Sequence, residues 1–167
     1  MNEFSFKITM NIGIPKISDA NIPLEQIAVR MREDARLSLR KQKSPASLGG
    51  GRFRPLAEET IRKKKAKKYA NPNKALRAKD VMYHSIMHRK KAKNSYYVTV
   101  LGKGNPRRDL VAKIHQEIGV PSKRGRVIRP FMGISKQTRK FAIGRMKRWI
   151  RKKLKETPPK YIKIELT

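Results

Sequence analysis

The sequence predicts an α+β fold: an antiparallel sheet packed by two long amphipathic helices, with an extended loop or arm. Three observations predict it. Phe4, Phe6, Ile8 and Met10 alternate with Ser5, Lys7, Thr9 and Asn11, the period of a half-buried strand. Leu24, Ile27, Met31, Ala35 and Leu39 recur at spacings of three and four, one apolar stripe along a helix. Ala142, Met146, Trp149, Ile150 and Leu154 form a second stripe near the C-terminus.

The elements follow in order within a single domain over 1–167. A first strand covers 3–14 and ends at Gly13 and Pro15. Asp19 and Asn21 offer caps, and Pro23 suits the first turn of a helix over about 23–42. Arg30, Arg32, Arg36 and Arg40 fall largely outside its apolar stripe. Residues 44–58, rich in Gly, Pro and Ser, read as the loop or arm, because three consecutive glycines do not suit an element interior. A basic helix over about 60–68 has Glu58 and Glu59 near its positive end.

Residues 82–101 read as a hairpin whose second arm, Tyr96 to Leu101, carries the strongest strand signal. Apolar groups on both faces of that arm predict a central strand covered on two sides. Gly102 to Pro106 is a turn, and a helix over about 108–118 stops at Gly119-Val120-Pro121. A basic loop over 122–130 leads to Arg129-Pro130-Phe131. Ser135 caps the helix over about 135–156, Pro158-Pro159 stops it, and a final strand spans 160–166.

The 167 residues carry 43 Lys+Arg against 12 Asp+Glu, a formal charge of +31. Self-repulsion on this scale calls for a polyanion or compensating partners, and composition alone points to a ribosomal or other RNA-binding structural protein. The charge is not a tail. Residues 30–157 hold 39 of the basic and 8 of the acidic side chains, and both ends are nearly neutral. Three tracts are dense: Lys63, Lys64, Lys65, Lys67 and Lys68; Arg89, Lys90 and Lys91; and the last helix with Arg148, Arg151 and Lys152. These are the candidate polyanion contacts. No recognition helix, zinc finger or aromatic RNA platform accompanies them. Tyr96 and Tyr97 would face opposite sides of an alternating strand.

The sequence offers no enzyme and implies no cofactor. Without cysteine there is no disulfide, thiol nucleophile or thiolate metal site. His84 and His88, read on one strand, share a face but lie about 13 Å apart, and no third ligand follows at metal-site spacing. The glycines at 49–51 and 102–104 match no phosphate-binding motif. No apolar run approaches the roughly 18 residues of a bilayer span, and the N-terminus lacks a signal peptide's pattern, so a soluble intracellular chain with no membrane partner is expected.

Several short motifs carry a family resemblance. Arg54-Pro55-Leu56 followed by Glu59-Thr60-Ile61-Arg62-Lys63-Lys64, then Ser85-Ile86, then Ala112-Lys113-Ile114-His115-Gln116 with Gly119, then Arg129-Pro130-Phe131-Met132-Gly133-Ile134-Ser135, occur in that order. Their order and separations resemble those of the phage virion morphogenesis (tail completion) family over about residues 22–156. The departures are specific. Phe53 stands for the family's Trp, Lys79-Asp80 for its Thr-Gly, Val111 for its Tyr, and Val127-Ile128 for its Pro-Ala.

The resemblance implies a structural protein that completes the phage tail or joins it to the head, made in the bacterial cytoplasm and placed in the virion neck. It implies a homo-oligomeric ring, sixfold, that meets tail-tube and head-connector proteins, with a lumen near packaged DNA. The motif residues Pro55, Leu56, Thr60, Lys63, Ser85, His115, Gln116, Gly119, Arg129, Pro130, Phe131 and Gly133 are carried over as structural, His115 as a hydrogen-bonding residue beside a glycine turn. Loop 44–58 becomes an arm reaching a neighbour, and Pro130, Phe131 and Trp149 candidate anchors. A nucleoid-type DNA binder is the third class compatible with the charge.

Overall fold

The apolar stripe from Leu24 to Leu39 forms helix α1 (Asn21–Lys41), with all five of its stripe residues buried. The computed structural model describes residues 10–12, 20–101, 107–122, 125–156 and 164–166. The expected strands over 3–14 and 160–166 lie partly outside these residues, and the turn at 102–106 and Asp19 wholly so. The N-cap position of α1 is Ala20, whose side chain makes no capping hydrogen bond. Instead the backbone N–H of Ala20 donates to Asn94 Oδ1 at 2.7 Å, and Asn94 N–H donates to Asn21 Oδ1 at 3.2 Å. At the other end Gln42 adopts φ 53°, and its side chain donates to Leu39 O and accepts from Ala75 N–H.

The loop over 44–58 is folded back instead of extended. Ser44 N–H donates to Gly51 O at 2.8 Å, Lys43 and Arg52 form an antiparallel bridge, and Pro45 and Phe53 are buried. Those two apolar side chains are the reason: burying them offsets the entropy of ordering a glycine-rich loop. Helix α2 (Glu58–Ala66) follows, exposed along most of its length.

The expected hairpin begins later than its sequence pattern. Val81–Ser85 is a short helix, α3, and the strands are β2 (Ile86–Ala92) and β3 (Ser95–Val100), antiparallel with Ile86 opposite Val100 and His88 opposite Val98. His84 and His88 therefore sit on different elements. Nor is β3 central: among the described residues β2 is its one partner. Val98 and Val100 turn into the core, while Tyr97 on the other face is half-buried, which its polar hydroxyl tolerates.

Helix α4 (Arg107–Lys113) runs into a wider π-helical turn at Ile114–Ile118. Part of the expected basic loop over 122–130 is a small ladder of β4 (Val120–Ser122) and β5 (Gly125–Val127). Helix α5 spans Lys136–Glu156, and β1 (Met10–Ile12) pairs antiparallel with β6 (Ile164–Leu166). The fold is α+β, with three two-stranded antiparallel ladders among the described residues.

α1 is the long helix most closely packed on the hairpin, and α4 also touches β3. α1 lies across β2 and β3, and α5 packs on α1. Both β2 and α5 run antiparallel to α1. Arg36 donates to Ile86 O and Arg32 meets His88, while Ser135 N–H donates to Asp34 Oδ2 and Arg145 to Gln26 Oε1. Ser135 Oγ accepts from Thr138 N–H, the cap expected for α5.

Candidate functional site

Motif segments far apart in the chain meet at an open cleft of about 710 Å³. Pro55 and Leu56, just before α2, and Thr60 and Lys64, on it, form one wall; His115 and Arg129 form the other. Arg129 ties the two walls together. Arg129 N–H donates to His115 O at 2.8 Å, and Arg129 Nε–H to Arg54 O at 3.3 Å.

Gln116 organises the segment that follows Arg129. Its Oε1 accepts from the N–H groups of Phe131 and Met132, each at 3.0 Å, and its Nε2 donates to Met132 O at 3.0 Å. One side chain thus satisfies three backbone groups of a segment that has no ladder partner. Phe131 is 0% exposed, its ring in the main core, and Pro130 is half-buried beside it. Gly133 is where that segment meets the folded-back loop. A Cβ there would lie 2.8 Å from Pro45 Cβ and from Ser47 Oγ, so no larger residue fits without a shift. Ser47 Oγ also accepts from Ile134 N–H at 2.9 Å. Gly119 takes φ +80° with Arg126 Cβ 2.9 Å from where its own Cβ would be, closing the π-helical turn onto β5.

His115 departs from expectation. Its backbone carbonyl makes the structural hydrogen bond, while its ring Nδ1 is buried without a partner. Burial, and secondarily the Arg129 charge, push its pKa down to about 4, so the ring is neutral at physiological pH. Ser85, unlike His115, does not line the cleft. Its Oγ donates to Val81 O and its carbonyl accepts from Leu101 N–H, bracing the start of the hairpin. The adjoining departure from the family pattern is informative: Asp80, where the family has Gly, adopts φ 53° and is held by Arg77 at 2.6 Å. Asp tolerates this left-handed conformation better than most residues.

The basic tracts separate into two ends of α1. Asn94 at the hairpin tip touches the start of α1, and the Arg145–Gln26 contact brings the C-terminal half of α5 to the same end. Arg89, Lys90, Lys91, Arg148, Arg151 and Lys152 therefore lie toward the N-terminal half of α1, all exposed. The tract on and after α2 lies at the opposite end, roughly 30 Å away by the length of a 21-residue helix. Lys63, Lys65, Lys67 and Lys68 are exposed there, and Lys63 pairs with Glu59 at 2.6 Å. Lys64 differs. It is half-buried, donates to Lys74 O at 2.8 Å, and lines the cleft.

Among the described residues no cluster of three His, Asp or Glu could hold a metal, and no helix is long and apolar enough to cross a membrane. The model of the phage virion morphogenesis family matches residues 10–151. The chain belongs to this family. No curated protein and no solved structure matches it significantly. The family match takes in every segment that forms the cleft, and it turns the expectation from ribosomal composition to a structural phage virion protein.

Two contributors had no legible signal in this virion protein. Asp34 holds Ser135 across 101 positions, and Ser47 holds Ile134 across 87. Neither lies in a motif. Arg54 stood inside the Pro-Leu motif, yet its place on the cleft depends on a fold that spacing does not encode.

Proposed function

We propose that the chain is a neck or tail-completion protein that caps the tail tube and helps join tail to head as a homo-oligomeric ring, a hexamer. Its basic surfaces face DNA or acidic partner rings. The supporting observation is the meeting of the motif segments. Residues at 54–64, 115–119 and 129–133 converge on one braced hub, while exposed cations stand at both ends of a helix about 30 Å long. A rigid hub with charge at two separated ends suits a subunit that must touch more than one partner. Virions produced without this protein are expected to show filled heads and tails that are not joined, visible by electron microscopy. Mature tails attached to filled heads in that sample would overturn the proposal.

A further inference from the structure

The cleft has an unusual electrical make-up. Arg54, Lys64 and Arg129 all line it, and none of its described lining residues is acidic. Arg129 is 6% exposed, and none of the three cations has a carboxylate partner among the described residues. Of the five N–H donors a guanidinium carries, one in Arg129 is hydrogen-bonded, to Arg54 O. The others are left to the cleft. A buried cation without a counter-charge is costly. The cost shows in both neighbours: burial and the Arg129 charge push Lys64 below its usual range, and burial and Arg54 do the same to Arg129.

Most of the remaining lining is apolar, with Leu56, Leu76, Val120 and Val127 among it, beside the uncharged polar groups of Thr60 and Ser122 and the His115 ring. A volume of about 710 Å³ is in the range of ligand clefts, roughly 300–1,000 Å³. Apolar walls around a cationic floor suit a peptide whose carboxylate sits between apolar side chains. They suit a duplex poorly, because its contacts are polar phosphates on a convex backbone.

We propose that this cleft is a docking site for an acidic protein segment, with a Glu or Asp carboxylate seated on Arg129, Lys64 and Arg54 and a flanking aliphatic side chain against Leu56 and Val127. The partner's place in a virion rests on the reading above. Binding in solution does not, so the two can fail separately.

The test titrates full-length protein with a fluorescein-labelled peptide Gly-Leu-Glu-Val-Glu-Leu-Gly and with its Gln counterpart, at physiological ionic strength to screen diffuse attraction. The acidic peptide should bind and the Gln peptide should not. Arg54→Gln with Lys64→Gln should weaken binding on the order of tenfold. Lys65→Gln with Lys67→Gln, an equal charge loss on and just after the same helix but away from the cleft, should change it less than about twofold. Equal losses from both pairs would overturn the proposal by showing diffuse attraction. A reading on the unaltered chain guards against misfolded variants: saturating peptide should move the His115 ring resonances and leave those of exposed His84 in place. Binding without movement of His115 would overturn the site. So would a short DNA duplex that displaces the peptide and moves the same resonances, since the occupant would then be phosphate.

Discussion

Gln116 does for residues 131–132 what a neighbouring strand would otherwise do. Replacing it with Leu keeps the bulk and leaves two N–H donors and one carbonyl of a buried segment without partners. Each unsatisfied buried group costs about 1–3 kcal/mol, so Gln116→Leu should lose about 3 kcal/mol or more, read as a lower urea midpoint with unchanged slope. Gln116→Glu should fall between, since it keeps the acceptor and loses the donor. His115, next to it, gives a pH signature with a definite sign. Unfolded, its ring titrates near 6.5; folded, it stays neutral down to about 4. Between those values the unfolded chain binds a proton that the folded chain refuses, so stability falls as pH falls through that window and the loss is complete below about 4. With solvent reaching part of the ring, the effect is roughly 1–2 kcal/mol. His115→Gln should remove that part of the pH slope. Parallel slopes for the two proteins in unfolding titrations from pH 7 to 4 would refute it.

At the scale of elements, the legible parts were those where one periodicity had no rival. The stripe from Leu24 to Leu39 fits a helix and nothing else, and it became the buried face of α1. Val81 to His88 had two readings. Its apolar residues at 81, 82, 86 and 87 satisfy a loose strand pattern, but 82 and 86 are also one helical turn apart. Asp80 in a left-handed conformation, followed by Ser85 donating to Val81 O, resolves the first five residues as helix. Both features lie within a few residues of each other, and a hydrophobic pattern does not display them. β4 and β5 were illegible for another reason. Pro121 and Gly125 both count against a strand, yet in a three-residue ladder Val120 opposite Val127 is enough to close it beside the π-helical turn. The loop over 44–58 read as an arm because its glycines dominate the pattern, whereas two buried side chains, Pro45 and Phe53, decide where it lies. The cleft follows the same rule. Its motifs were legible one by one, and their convergence was not, because it depends on Arg129 reaching back 75 positions to Arg54.

For the whole molecule the issue is how a chain of +31 stays folded. Acidic groups do little to compensate. Glu33 serves Arg32 and Arg36, Glu59 serves Lys63, Glu156 serves Lys152 and Lys153, and Asp80 serves Arg77. Most of these are solvent-facing pairs, which water and salt screen and which contribute little. Repulsion among the remaining cations acts over the Debye length, about 30 Å at 0.01 M salt, comparable to the distance between the two basic ends of α1. At 0.1 M that length drops to about 10 Å, and each end is electrically isolated from the other. Salt should therefore stabilise this protein, against the usual expectation for one held by surface ion pairs. Between about 0.02 and 0.3 M NaCl the melting temperature should rise on the order of 5 °C, which corresponds to about 2 kcal/mol in a domain of this size. Replacing Arg148, Arg151 and Lys152 by Gln should raise the low-salt melting temperature and flatten the salt dependence, because one of the two cation clusters then loses half of its named charges. A short duplex added at low salt should achieve the same stabilisation at a far lower concentration of charge, because its phosphates are already clustered. A melting temperature that stays level or falls with salt would mean that the ion pairs outweigh the repulsion, and that the positive charge is already balanced within the fold.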